Sequence, residues 1–343
     1  MPGDLVLPVF VPAPWLRNPH AMTLFPRYWP RAGVLRGVPT EPRWFTVAPD
    51  SKMLGLCHWQ SRPARHPALV LVHGLEGCSE SHYMRGIASK AWRAGFNVVR
   101  LNQRTCGGTE HATPTFYHGG LTQDLYATVE ELWKREGCER IWLAGYSMGG
   151  NLILRLAGEV GTGLAPLQGV IAVCPNIDPA ACVSALEQRH NWLYHRHFVT
   201  SLQARLRRKA ALFPDRFDAT GLAALRKTLR AFDDAYTAPL GGFSSADEYY
   251  DRTGARHVLG NIAVPTLLLT AQDDPFIPYE TFRLPALVKN PRIRFVAPRY
   301  GGHCGFFQRP KRGEDCFWAE NRLIDFLTTM ERMGEASGAV YQS

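Results

Sequence analysis

The chain has 343 residues, a formal net charge of +9 and eight cysteines. No apolar run approaches the ~18 residues of a membrane span, and Pro8, Pro12 and Pro14 break the apolar N-terminus, which argues against a secretory signal. The cysteines stand singly in the sequence, so we expect reduced thiols and a cytoplasmic location.

Strand and helix patterns alternate along most of the chain. Residues 1–42 have no clear period and are expected to wrap the surface, and residues 43–60 predict a hairpin at a sheet edge. Helical patterns separate the later strands, and a last helix is predicted from about Cys316 to Met330. Buried apolar strands that alternate with helices predict a mostly parallel, doubly wound α/β sheet. The predicted core strands are Ala68–His73, Asn97–Leu101, Ile141–Tyr146, Gly169–Cys174, Thr266–Thr270 and Ile293–Ala297.

The alternation stops between Asp178 and Pro265, where helical patterns follow one another without a convincing strand. One amphipathic helix is predicted from Leu222, Leu225, Leu229 and Phe232, beside a basic one that starts near Phe198. We therefore expect a helical cap inserted over the site. The predicted division is an N-terminal segment with the edge hairpin (1–65), a first core part (66–178), the cap (179–262), a second core part (263–335) and a tail (336–343).

Positive charge is densest at residues 205–209, within the basic cap helix. An apolar arc that includes Phe198, Leu202 and Leu206 lies opposite Arg207 and Arg208. The first interpretation is a solvated basic face, and the second is peripheral contact with an anionic membrane. No nucleic-acid partner is expected, because no DNA- or RNA-binding motif accompanies the charge.

Ser147 lies in Gly145-Tyr146-Ser147-Met148-Gly149, between a predicted strand and a predicted helix. So sharp a turn needs glycine on both sides, since a Cβ there would clash with neighbouring backbone. The turn lifts the hydroxyl off the sheet edge and puts free amides of the helix N-terminus beside it. This pattern predicts the nucleophile elbow of a serine hydrolase.

A serine nucleophile needs a general base and a group that orients this base. His303 follows the last predicted strand in a glycine-flanked loop and is the candidate base. Asp274 is the favoured acid, because residues 271–278 have the form G-x-x-D-x-x-x-P with alanine for the glycine. Asp273 and Asp178 remain alternatives, and the aspartates that are not used would accept local backbone hydrogen bonds.

The oxyanion of a tetrahedral intermediate needs two backbone donors. We expect them from Met148, the residue after the nucleophile, and from Leu75 in the loop that follows the first core strand. Glu76 would repel an oxyanion, so its side chain is expected to point away, toward an arginine. This chemistry needs no cofactor and no metal.

Further motifs carry a resemblance to a known family. They are Asn18-Pro19-His20 with Thr23, His73-Gly74-Leu75-Glu76-Gly77, Glu80-Ser81-His82-Tyr83, residues 102–108, 117–120, 145–149 and 233–240, Asp273-Asp274-Pro275-Phe276 and Gly301-Gly302-His303. With these motifs the chain resembles the YheT-like branch of the α/β-hydrolases, which also contains eukaryotic abhydrolase lipases and yeast medium-chain ester synthases and esterases. It departs from that pattern at Gln103-Arg104-Thr105, and Tyr117-His118-Gly119 receives no role.

The resemblance implies a triad of Ser147, Asp274 and His303 in an esterase or lipase that acts on acyl esters. We expect a hydrolase of medium- or long-chain acyl esters, working through an acyl-enzyme. Two alternatives stay open: an acyltransferase that uses the same acyl-enzyme, and a non-catalytic ligand-binding relative. A peptidase is disfavoured, since no site for a free amino group is evident.

Overall fold

The structure, a computed structural model, describes residues 7–31, 33–225 and 227–340, with side chains as far as Ala336. Residues 1–6 of the predicted N-terminal segment and 341–343 of the predicted tail lie outside this part of the chain. Within the described ranges, eight strands form one sheet in the order β1-β2-β4-β3-β5-β6-β7-β8. The strands are β1 (Glu41–Ala48), β2 (Ser51–His58), β3 (Ala68–Val72), β4 (Asn97–Leu101), β5 (Ile141–Tyr146), β6 (Leu167–Val173), β7 (Thr266–Leu269) and β8 (Ile293–Val296).

Strands β3 to β8 pair in parallel, whereas β1 and β2 form the antiparallel hairpin predicted at the edge. All residues of β3, β4 and β5 are buried, as expected for parallel strands covered on both faces. The mostly parallel, doubly wound sheet is thus confirmed. The helices are α1 (Pro19–Tyr28), α2 (His82–Arg93), α3 (Thr122–Glu136), α4 (Met148–Val160), α5 (Pro179–Leu186), α6 (Trp192–Leu212), α7 (Leu229–Phe232), α8 (Ala238–Leu240), α9 (Ala246–Thr253), α10 (Pro285–Lys289) and α11 (Trp318–Val340).

Helices α5 to α9 lie between β6 and β7, where the sequence predicts the cap. Apolar side chains of α8 and α9 form a small buried cluster, and those of α5, α6 and α7 join residues of the core, such as Met148 and Phe276, in a larger one. Burial of each large apolar side chain contributes about 1.5–3 kcal/mol, so this cluster holds the cap against the sheet edge. Cap residues of the cluster include Leu186, Val199, Leu202, Leu206, Phe217, Leu222, Leu229 and Phe232.

The prediction of one continuous second cap helix through Leu222, Leu225, Leu229 and Phe232 is wrong. Residues Thr220–Ala223 form a short 3-10 turn, and α7 begins only at Leu229. The side chain of Thr228 accepts a hydrogen bond from the Ala231 amide and so caps a new helix start. Leu222, Leu229 and Phe232 are nevertheless buried, so the apolar spacing identified the buried residues although the backbone between them is irregular.

Two further boundaries differ from the prediction. Helix α1 lies within residues 1–42, where no period was found, and Asn18 caps it by accepting from the amides of His20 and Ala21. The last helix runs on to Val340, beyond the predicted end at Met330, so part of the predicted tail is helical. Among the described residues, no helix is both long enough and apolar enough to cross a membrane.

Candidate active site

Ser147 stands at the sharp turn between β5 and α4. Its φ is +53°, a left-handed conformation that costs a non-glycine residue about 1–3 kcal/mol. The flanking glycines are required by space: a Cβ on Gly145 would lie 2.3 Å from the Gly149 carbonyl oxygen, and one on Gly149 would lie 2.4 Å from that of Val72. The half-buried Ser147 is therefore held by its neighbours in a strained turn at the start of a helix.

His303 is hydrogen-bonded to Asp274, with 2.8 Å between His303 Nδ1 and Asp274 Oδ2. The Asp274 side chain is fully buried, and its other oxygen accepts from the amides of Phe276 and Ile277 at 3.0 Å each. Burial lowers the pKa of His303, but attraction to the Asp274 carboxylate and to Cys304, with hydrogen bonds to both, together outweigh burial and raise this pKa above its ordinary value. The pair can thus hold a proton on Nδ1 and orient the imidazole ring.

The two other candidate acids have different partners. Asp273 accepts from the Gly302 amide at 2.9 Å, and burial raises its pKa. Asp178 caps α5 by accepting from the Ala181 amide and forms an ion pair with Arg256. Of the three candidates, Asp274 is the one that the structure brings into contact with the His303 ring.

Thr23 of α1 positions the histidine loop, and the sequence reasoning gave it no role. The His303 amide donates to Thr23 Oγ1 at 2.8 Å, and this hydroxyl donates to the Pro19 carbonyl at 2.7 Å. Gly302 packs against the same helix, since a Cβ there would lie 2.6 Å from the Pro19 carbonyl oxygen. Asn18 followed by proline is a typical helix start and was the signal that could have revealed α1.

The loop after β3 presents one free amide beside Ser147. The Gly74 amide donates to the Tyr83 hydroxyl and the Glu76 amide to the Tyr117 hydroxyl, both at 3.0 Å. The Leu75 amide between them has no hydrogen-bond partner among the described residues, and neither has that of Met148 at the start of α4. Two unsatisfied amides therefore flank the elbow, and the segment 117–119 supports the loop through the Tyr117 hydroxyl.

Glu76 points toward an arginine, as the sequence predicts. Arg205 of α6 donates from Nε and Nη2 to the two carboxylate oxygens at 2.9 and 3.0 Å, and Tyr117 donates its hydroxyl at 2.7 Å. Arg205 also donates to the Thr105 carbonyl, in the segment that departs from the family pattern. The contact links the cap to the loop that carries the Leu75 amide.

The basic cap helix is less solvated than its sequence suggests. Arg205 and Lys209 are buried, although both belong to the dense positive run. Lys209 donates its ammonium group to the carbonyls of Glu110 and Thr113. Arg207 and Arg208 are exposed, so the solvated basic face is confined to them and their exposed neighbours on α6.

Two cavities meet at Ser147. The inner one lies under the cap, has a volume of about 80 Å³ and is lined mostly by apolar side chains such as Val183, Leu186 and Leu202. The outer one is a wide cleft of about 650 Å³, lined by His303 and by charged side chains such as Arg27. Leu75, Ser147, Phe198 and Phe276 line both cavities. Ser147 Oγ has no hydrogen-bond partner within the described ranges, and catalytic hydrogen bonds commonly tighten only when substrate is bound.

Comparison with known proteins places this site in a family context. The sequence model of the α/β hydrolase fold family matches residues 67–310 of this chain. The Escherichia coli protein YheT is 31% identical over 326 residues, which cover 93% of each chain. The mouse phospholipase ABHD3 is 30% identical over 78% of this chain and 65% of its own length. The Saccharomyces cerevisiae medium-chain fatty acid ethyl ester synthase/esterase 2 is 26% identical over 78% of this chain and 63% of its own length.

Solved structures show the same fold at low identity. The Pyrococcus furiosus esterase Pf2001 superposes with a TM-score of 0.56 at 17% identity, over 96% of this chain and 99% of that chain. Est1E of Butyrivibrio proteoclasticus superposes with a TM-score of 0.52 at 15% identity, over 85% of this chain and 99% of its own. At these identities the likeness concerns the fold alone.

Proposed function

Because the chain belongs to the α/β-hydrolase family, we propose that it is a serine carboxylester hydrolase that acts on medium- or long-chain acyl esters. The observation that carries the proposal is the strained Ser147 at the junction of two cavities, one of which is also lined by His303, the hydrogen-bonded partner of Asp274. The names of two relatives, a phospholipase and an ester synthase/esterase, agree with acyl-ester chemistry.

In the proposed reaction, Ser147 Oγ attacks the ester carbonyl carbon while His303 Nε2 accepts the hydroxyl proton. Asp274 holds the Nδ1 proton and stabilises the imidazolium that forms. The amides of Leu75 and Met148 donate to the oxyanion, and removal of one such donor typically costs 10²–10³ in kcat. The proton then passes to the alcohol as the carbon–oxygen bond breaks, and water hydrolyses the acyl-enzyme by the same steps.

The two cavities support a division of the substrate. The inner cavity is mostly apolar and suits the acyl chain, since each buried methylene contributes up to ~0.8 kcal/mol. The outer cleft is wider, more polar than the inner cavity and lined by His303, so it suits the alcohol, which must receive the proton. We therefore assign the acyl chain to the space beneath the cap. The cap itself is proposed to comprise residues 179–262.

Acyl transfer to an alcohol is the second candidate, favoured by the name of the yeast relative, an ester synthase/esterase. The outer cleft could admit either water or an alcohol to the acyl-enzyme. Product analysis with ethanol in the reaction distinguishes the two: hydrolysis gives mainly the free acid, and transfer gives mainly the ethyl ester. Hydrolysis is our primary proposal, and ethyl ester as the dominant product would replace it.

The acyl pocket is tested with p-nitrophenyl esters of two to sixteen carbons. We expect kcat/KM to rise from acetate to medium-chain esters. Leu202→Ala widens the inner cavity and should shift the maximum toward longer chains. Leu206→Ala is the matched control, since Leu206 is buried on the same helix but does not line this cavity. Both variants lose stability, by about 2–5 kcal/mol, so only a change in the profile is informative.

A flat profile, or a maximum at acetate, would mean that the inner cavity takes no acyl chain. A profile that shifts equally in Leu202→Ala and Leu206→Ala would point to general loosening of the cap. Thermal unfolding of each variant shows whether it is folded at the assay temperature.

A further inference from the structure

A cluster of three metal-ligating side chains lies at the base of the outer cleft, and the proposed chemistry uses only one of them. The Sγ atoms of Cys174 and Cys304 and a ring nitrogen of His303 all lie within 4.8 Å of one another. Cys174 follows β6, and Cys304 follows His303 on the histidine loop. We propose that these three residues form an inhibitory site for a thiophilic divalent cation, with Zn²⁺ as the favoured ion.

The spacing of the ligand atoms suits Zn²⁺. Zinc–sulfur bonds of about 2.3 Å and zinc–nitrogen bonds of about 2.0–2.1 Å put neighbouring ligands about 3.5–3.8 Å apart in a tetrahedral site. Since the ligand atoms lie within 4.8 Å of one another, the cluster needs a contraction of about 1.3 Å at most. Two thiolates and one imidazole form a soft ligand set, which selects zinc over magnesium or calcium.

The backbone already holds both thiols in place. Cys174 and Cys304 have left-handed φ angles of +46° and +61°, and the Cys304 amide donates to Cys174 Sγ at 3.4 Å. Each S–H group contacts a backbone carbonyl at 3.9 Å, that of Gly302 for Cys174 and that of Val173 for Cys304. Metal binding releases these thiol protons to solvent and leaves the carbonyls with the loss of one weak hydrogen bond each.

An ion can reach the cluster, because His303 and Cys304 both line the outer cleft, while the fully buried Cys174 closes the site from behind. The three ligands leave a fourth position for a water molecule on the cleft side. Coordination through Nε2 of His303 takes up the lone pair that accepts the serine proton. Coordination through Nδ1 displaces the hydrogen bond to Asp274, so either mode removes the general base.

The test measures metal binding and inhibition on the purified full chain in a buffer that does not chelate zinc. We expect one Zn²⁺ per chain by equilibrium dialysis, a near-ultraviolet thiolate-to-metal charge-transfer band with Co²⁺, and inhibition of ester hydrolysis that EDTA reverses. Only the inhibition rests on the proposed function. Binding and the Co²⁺ band are measured without substrate, so the two proposals fail separately.

Cys174→Ser and Cys304→Ser each remove a ligand and should weaken zinc binding and inhibition at least tenfold. Loss of a residue that only supports a metal ligand already lowers metal affinity by about 10–100-fold. Cys78→Ser is the control, because Cys78 lines the same cleft outside the cluster. Inhibition is expressed relative to the metal-free activity of each variant, and circular dichroism verifies folding. Zinc binding that is absent from the native chain, or that persists in both folded ligand variants, would overturn the proposal.

Discussion

Arg205 of the cap and Glu76 of the loop after β3 form a buried, two-pronged ion pair, with both side chains no more than 6% exposed. Glu76 immediately follows Leu75, which lines the same cavities as Ser147 and whose amide has no hydrogen-bond partner among the described residues. The carboxylate thereby points away from the proposed oxyanion, and the cap is tied to the backbone that would stabilise this oxyanion.

Arg205→Ala should lower kcat more than it raises KM, because it frees the Leu75 segment and leaves a buried carboxylate unpaired. Loss of one partner of a buried ion pair costs about 3–5 kcal/mol. Arg205→Lys should recover part of kcat, since it restores the charge without the two-pronged contact. Steady-state kinetics with thermal unfolding provide the measurement, and the exposed neighbour variant Arg207→Ala is the control. An unchanged kcat in folded Arg205→Ala would show that the pair does not position the loop.

The proposed acid makes a prediction about pH. His303 must be neutral to accept the serine proton, and its neutral fraction grows as pH rises through its pKa. Although burial lowers that pKa, Asp274 and Cys304 together raise it above the ordinary 6.5, so the rising limb of kcat/KM should lie at higher pH than an unperturbed histidine would give. Asp274→Asn should lower kcat by about 10⁴ and move the limb to lower pH.

Asp178→Asn is the matched control for the acid. It removes the Arg256 ion pair and weakens the cap of α5, which should cost stability without moving the limb. If Asp178→Asn moves the limb and Asp274→Asn does not, the orienting carboxylate has been misassigned.

Contact of the cap with an anionic membrane remains a prediction. Arg196 and Arg207 are exposed on α6 and lie eleven residues apart, which puts them on one face of the helix. A cation near an anionic surface contributes about 1 kcal/mol, so reversing both charges should weaken binding to phosphatidylserine vesicles more than tenfold. Arg196→Glu with Arg207→Glu is compared, by vesicle sedimentation, with Lys52→Glu and Arg93→Glu, which change the net charge equally at exposed sites elsewhere. Equal loss in the two double variants would mean that net charge, not this face, controls binding.

The parts of the fold with strong local signals could be predicted from the sequence. The predicted bounds of β4 and β5 match the structure. Strand β5 is a continuous apolar run, as is typical of a buried parallel strand, and β4 has an apolar centre although it contains Asn97 and Arg100. The turn of Glu76 toward an arginine followed from electrostatics alone, since a carboxylate beside an oxyanion is unfavourable. The identity of the arginine did not, because Arg205 is 129 residues away in the sequence.

The features that were not predicted from the sequence also have physical causes. Helix α1 is short and lies in a proline-rich segment, so it shows no clear helical period. Its contribution to the site is the hydrogen bond from the His303 amide to Thr23, which joins residues far apart in the sequence. The prediction of one continuous second cap helix was wrong because its apolar residues keep a helical spacing while Thr228 caps a new helix that starts between them. Burial determined which side chains face the interior there, but the hydrogen bond to Thr228 determined where the helix begins.

The central claim is that Ser147 is the nucleophile, and covalent labelling with a fluorophosphonate tests it most directly. The native protein should be labelled at Ser147, as mass spectrometry of the modified peptide would show, and labelling should abolish ester hydrolysis. Folded Ser147→Ala should take up no label and have no ester hydrolysis above background, because the attacking oxygen is gone while the fold remains. Undiminished labelling or hydrolysis in folded Ser147→Ala would contradict the account.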